Sequence, residues 1–351
     1  MRAFVILCLL TLASIPARAE PDYRGIALAA VDAVIVPGYR HFRDRSGDLD
    51  REAASFCAAP SSAGLDGLRG RFHATMDAWQ RVQVIGFGPV EEFHRGQRVH
   101  FWPDKKNAGD RQMRQLLKER KAEVLEGPRV AFASVAIQGL PALEALLFDD
   151  GERLVAGEDA AFRCRVVAAI ATNLAGIGDE LVRAWTDSDG FRTRIADAGG
   201  PDSPYVDHRQ AASQVFNALH GHLEAIAEVK LAHPMGDGVE TARRQRAESW
   251  RSRRSLRNLV LNLEAVRAVA RAAFAPALPE SVAGSLTDAL DAALAGAARV
   301  DGPMEAALER PEGWRALAEV KAKVKSVARV LEAQAGSALG MQVGFNALDG
   351  D

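Results

Sequence analysis

Apolar residues recur at three- and four-residue spacing along almost the whole of this 351-residue chain, and the alternation of a half-buried strand is absent. That period fixes one stripe of a helix at a time, so the chain is predicted to be all-α. Helices are expected over 22–46, 62–85, 128–149, 159–187, 205–233, 241–272, 280–298 and 312–337. Gly, Pro and Asp crowd the stretch from Thr186 to Asp207, a natural boundary. It leaves four helices on each side, which predicts two packed four-helix bundles over 20–190 and 205–351, with a continuous helical array as the alternative.

The first nineteen residues read as a cleaved signal peptide: Arg2, an apolar run from Phe4 to Leu12, and Ala17-Arg18-Ala19 before Glu20. Cys8 lies inside the run with no small residues before it, which disfavours a lipid anchor. No later stretch reads as a transmembrane segment, so the expected location is periplasmic. With 44 basic and 46 acidic residues the net charge is −2, and nothing global points to nucleic acid. Two cysteines follow the signal, Cys57 and Cys164. In an oxidising compartment they are expected to form one long-range disulfide, the alternative being two buried thiols.

Three local features stand out. The segment from Ser134 to Phe148 reads as an apolar helix broken at Gly139-Leu140-Pro141, with Glu144 alone on its greasy second half. Pro37 is expected to kink the first helix in the same way, so that the two kinks open a pocket. The connection from Gly86 to Asn107 is long, yet Phe87, Phe93, Phe101 and Trp102 argue for an ordered loop that covers something. It offers His94, His100, Glu91, Glu92 and Asp104 as ligands and Arg95 and Arg98 as anion binders.

Gly139 and Glu144 match the G-x-H-x-x-E helix of the imelysin-like family of periplasmic proteins, with Pro141 at the histidine position. Trp79 to Pro89, the Phe101-Trp102-Pro103-Asp104 step, Val36 to Phe42, Lys230-Leu231 and the ending Gly344 to Asp351 also resemble that family. The resemblance implies a non-catalytic binding component of iron or other metal uptake. Its site would be drawn from His41, Gln83, Arg98, Trp102, Asp104, Gly139, Pro141 and Glu144. Any metal, iron or another divalent ion, would fall to Glu144, His41 and Asp104. Asp349 and Asp351 would add acceptors at the tail. The partner would be a metal ion or small ligand, and beyond it a periplasmic or outer-membrane iron-uptake protein.

Two other readings stay open. A metal-dependent peptidase would need three protein ligands and an open position. The sequence has no H-E-x-x-H helix, no G-x-S-x-G elbow and no phosphate-cradling loop. A helical interaction module would instead use the seven arginines between Arg243 and Arg257 around Trp250 to meet an acidic partner, although a solvated helix face is the favoured reading of the run. His220 and Glu224, four apart, read as a surface pair.

Overall fold

The structure is a computed structural model that describes residues 20–344. The signal-peptide reading and the tail carboxylates Asp349 and Asp351 lie outside the described residues. Within them the chain is helical, with turns and short 3-10 pieces between the rods.

Helix α1 covers residues 23–58 and starts on an Asp22 cap whose carboxylate accepts the Gly25 N–H at 2.8 Å. It runs beyond the predicted end at 46, because Leu49, Ala53 and Phe56 continue the buried stripe of Ile35, Tyr39 and Phe42. Pro37 does not break it. A π-turn at Val31–Ile35 comes just before, with the Val36 N–H bonded to the Val31 carbonyl. That wider turn accommodates a residue with no N–H to give and a ring that would crowd an ordinary turn.

Helix α2, Ser62–Gln80, is capped by Ser61 and buries Leu65, Leu68, Phe72, Met76 and Trp79. Helix α3, Ala108–Glu119, was not foreseen. Helix α4, Gly139–Phe148, is all that remains of the long helix expected over 128–149. Upstream lie 3-10 turns at Gly127–Phe132 and Val135–Ile137, then an extended Gln138. Pro141 therefore stands in the first turn of α4, where a missing N–H loses nothing, and kinks nothing. Helix α5, Ala160–Thr186, packs along α1. Gly178 permits the approach, since a Cβ there would sit 2.8 Å from the Arg43 Cα. By length and composition α5 could cross a membrane, contrary to the sequence reading. Its apolar side faces the core, through residues such as Val167, Ile170, Leu174 and Leu181.

Cys57 of α1 and Cys164 of α5, with Cα atoms 5.5 Å apart, form a disulfide. The stretch from Thr186 to Asp207 is packed. Its short helix Phe191–Ala196 sets Phe191 edge-on to Trp185 at 5.2 Å, and Tyr205 follows at 6.1 Å.

Four rods follow: α6 (residues 208–235), α7 (residues 255–274), α8 (Glu280–Ala298) and α9 (residues 311–339). Helix α6 takes its cap from Asp207. Helix α7 begins well after the predicted 241, and residues 242–254 are short turns and loop instead. The architecture is all-α, helical bundles packed around a hydrophobic core that runs through both groups of helices. Between the groups lies a seam. The end of α2 and the 86–107 connection approach it from one side, and α6, the 247–254 loop and the start of α7 from the other.

Candidate functional site

The seam is built on a buried ion cluster. Lys230 of α6 sits on the same face as Leu223, Ile226, Ala227 and Leu231 and is 5 % exposed. Its ammonium donates to Glu248 at 2.9 and 3.0 Å, Gln80 at 3.1 Å, Gln83 at 2.6 Å and Asn262 at 2.6 Å. Glu248 also accepts from Asn258 at 3.1 Å. Burial acts against charge on both, raising the Glu248 carboxyl and lowering the Lys230 ammonium. For Glu248 the Lys230 and His100 neighbours outweigh burial and hold the carboxyl low. Each charge thus answers the other, with amide oxygens filling the remaining donor sites.

His100 caps this cluster. One ring nitrogen lies 3.3 Å from the Gln83 amide and the other 3.6 Å from Glu248. Burial pushes its imidazole down to about 4, with Glu248 and Lys230 pulling in opposite directions. The ring is neutral at pH 7.

Beyond His100 opens a cavity of about 620 Å³. Its walls come from the 101–110 segment, from α4 and from the 245–251 stretch, with His233 also in the lining. Phe101, Trp102 and Trp250 supply rings, and Gln138, Asp104, Asp110 and Arg251 supply polar groups. Glu144 lines it too. Its Oε1 accepts the Ser252 N–H at 2.8 Å and the Ser252 hydroxyl at 2.5 Å. Burial lifts this carboxyl to about 7, against the Ser252 bonds and the Arg251 charge that lower it. Once protonated, Glu144 can donate to Ser252 Oγ while that hydroxyl turns to the Ser249 carbonyl 3.3 Å away.

The loop that carries Ser252 is fastened on both flanks. Arg251 pairs with Asp110 at 2.7 Å and Asp149 at 2.5 Å. Arg254 and Arg257 both pair with Asp77. Residues 242–254 are turns and loop, so most of the arginine run is not on a helix face, although Arg243, Arg244, Arg246, Arg253 and Arg257 are exposed. Three of its seven members are spent across the seam, and Arg244 pairs with Glu309 at 3.6 Å.

Of the eight predicted site residues, Trp102, Asp104, Pro141 and Glu144 meet in the cavity wall. Gln83 stands behind His100 in the ion cluster. Arg98 reaches the wall only through a relay, donating to Asn173 at 3.1 Å, which donates to Gln138 at 3.0 Å. Gly139 is a packing position: φ is +76°, and a Cβ would lie 2.4 Å from the Arg98 and Val99 carbonyls. His41 is exposed on α1 and is no part of the cavity wall. Tyr39 is fully buried against Trp185, not leaning into the site.

In the loop, Arg95 is structural, bonded to Glu180 and the Pro89 carbonyl, while Glu91 and His94 line a smaller cleft on the far side of His100. His220 is buried, not a surface residue, 3.6 Å from Glu224 and 3.8 Å from Glu332.

The expected metal trio does not converge. Both carboxylate oxygens of Asp104 accept backbone N–H groups, from Ala108 at 2.9 Å and Gly109 at 2.7 Å, and His41 is elsewhere. Among the described residues no group of three or more His, Cys, Asp or Glu side chains is arranged to hold a metal ion. The residues present do not fit a bare cation at Glu144.

Sequence reasoning missed Glu248 and Ser252, and it gave Lys230 and Arg246 no place in the seam. Lys230 left a signal, a lone cation on an apolar stripe. Ser252 and Glu248 left none, because the 241–272 stretch reads as helix.

Fold and site together define an all-α protein of helical bundles with a ligand-sized cavity in the seam between them. The Imelysin family model matches residues 35–331, and the chain belongs to that family. Iron-regulated protein A of Synechococcus elongatus is 26% identical over 232 residues, 65% of this chain and 59% of that protein, so the match spans less than two thirds of that relative. An imelysin-like protein from Psychrobacter arcticum superposes with a TM-score of 0.75 at 19% identity, covering 93% of this chain and 100% of that one. A putative iron-regulated protein A precursor from Parabacteroides distasonis gives a TM-score of 0.75 at 15% identity, over 90% and 96% of the two chains. At these identities the two structures speak for the fold alone.

Proposed function

We propose that this protein is a periplasmic, non-catalytic binding component of iron or other metal uptake, which holds its cargo in the seam cavity and passes it to an envelope partner. In this reading residues 20–190 and 205–351 act as two bundle domains that grip the cargo between them. The observation that carries it is the cavity itself, whose volume of about 620 Å³ falls in the usual range of small-molecule sites, roughly 300–1,000 Å³. The iron connection comes from the relative called iron-regulated protein A. Secretion is supported by the first nineteen residues and by the structural neighbour described as a precursor.

The chemistry of the wall favours holding over reacting. His100 has both nitrogens turned inward to Gln83 and Glu248. Glu144 lies beside a serine whose hydroxyl it binds, and among the described residues no histidine is hydrogen-bonded to that hydroxyl.

The test is accumulation of radiolabelled iron by iron-starved cells lacking the gene, complemented with the wild type or Glu144→Gln. Deletion is expected to lower accumulation, wild type to restore it, and Glu144→Gln to restore it only in part. Accumulation that is the same with and without the gene would refute the uptake role.

A further inference from the structure

We infer that the seam cavity takes a flat-ringed organic oxyanion, an aromatic carboxylate either free or as the organic shell of a bound metal, anchored by Arg246 and packed on the ring wall of Phe101, Trp102 and Trp250. The inference rests on the reading of this cavity as the cargo site and names the class of cargo.

Most charges in the wall are already committed, Lys105 among them. Asp104 has both oxygens on backbone N–H groups, and Asp110 is paired with Arg251 at 2.7 Å. Arg251 is in turn shared with Asp149 and stacks over Trp250 at 4.5 Å. Glu144 is bonded to Ser252, and its carboxyl titrates near neutrality instead of standing as a fixed negative charge.

Arg246 is different. It is exposed, lines the cavity, and makes no ion pair among the described residues. His233 lines the same cavity, and its imidazole is lowered first by burial and then by the charges of Arg246 and Lys105. A guanidinium without an ion pair in the lining repels a bare cation and draws in an anion. A guanidinium presents a planar fork that meets a carboxylate with two parallel hydrogen bonds.

The body of the ligand follows from the wall. Aromatic residues are only 6% of this chain, yet Phe101, Trp102 and Trp250 all come to this one cavity. Ring faces bury a flat apolar body and stack on it. Citrate, an anion without a ring, would use the guanidinium and leave the rings wet. Catechol, a ring without a carboxylate, would do the reverse.

The test is calorimetric titration of the mature protein at pH 7.5 with 2,3-dihydroxybenzoate, its iron(III) complex, catechol, citrate and ferrous ion alone. We expect 2,3-dihydroxybenzoate or its iron(III) complex to bind, and catechol and citrate each to bind about tenfold more weakly or worse, the loss that goes with one charge-assisted or stacking contact. Arg246→Glu, a change at an exposed position that spares the fold, should weaken binding at least about tenfold. Trp102→Ala should weaken it whether or not the metal is present. The inference is overturned if neither ring-bearing carboxylate binds, if Arg246→Glu leaves the affinity unchanged, or if ferrous ion alone binds as tightly as they do. Iron accumulation that needs the protein, with no binding of these probes, would sink the ligand class and leave the uptake role standing. Tight binding of the probes, with accumulation indifferent to the gene, would do the opposite.

Discussion

Gly139 stands with φ at +76° beneath the carbonyls of Arg98 and Val99, so any side chain there meets both left-handed strain and backbone. Gly139→Ala is expected to cost at least about 2 kcal/mol, read from urea unfolding, because neither carbonyl can move without dislodging the 86–107 connection. Glu144 behaves differently. Its carboxyl has an ordinary value of 4.5 and titrates near about 7 in the folded protein. Between those values the folded state holds more protons than the unfolded chain, so stability falls as pH rises through the window. Removing that ionisation by Glu144→Gln should leave the variant more stable than wild type at pH 8, by up to about 3 kcal/mol, with no such gain at pH 4.5. Thermal unfolding of both proteins across this range checks it. Ser252, Arg251, Glu248 and Arg254 face the carboxyl in both proteins, and the depressed histidines His73, His100 and His222 titrate in both, so the difference isolates Glu144. Equal pH profiles would show that folding does not shift the Glu144 carboxyl. At this scale the sequence was informative about which residues matter and less so about why. Gly139 and Glu144 stand out in a broken apolar run, but the role of Gly139 comes from a carbonyl pair forty residues away in the chain.

At the scale of elements, the 247–254 loop shows where periodicity loses to tertiary contact. Residues 241–272 are rich in Ala, Arg and Leu, all good helix formers. The chain stays irregular up to Arg254 because Glu248 must reach Lys230, Ser252 must reach Glu144, and Arg251 must reach Asp110 and Asp149. Partners some 18 to 141 residues away leave no mark in a local pattern. The helices the pattern did reveal, such as α5, α6 and α8, are those whose stripes face the core directly. Pro141 was misread for a related reason: a proline inside an apolar run looks like a kink, and an extended Gln138 that restarts the helix is invisible locally. The Lys230–Glu248 pair gives a test at this scale. Lys230→Met leaves a buried carboxylate unanswered and should cost about 3–5 kcal/mol. Adding Glu248→Gln should recover a large part of that loss. A double variant as unstable as the sum of the two singles would show that the two charges do not depend on each other.

Over the whole molecule, the core is continuous across both groups of helices, and the polar seam with its cavity is set into it. The disulfide closes a loop of 107 residues within the first group. Replacing both cysteines by serine should lower stability by about 2–4 kcal/mol, with little change in the seam, which it does not touch. The all-α class and the bundles were legible in the spacing of apolar residues, because that spacing is a whole-chain property. The cavity was not, because it is assembled from three stretches that meet only when the bundles pack. The most direct measurement of the central claim is native mass spectrometry of the protein recovered from iron-starved cells, wild type beside Ala145→Trp. Ala145 lines the cavity and is half-buried, so an indole there fills the space without removing any polar group. The wild type should carry a small-molecule adduct that Ala145→Trp lacks. An adduct carried equally by both proteins, or by neither, would contradict the seam cavity as the binding site.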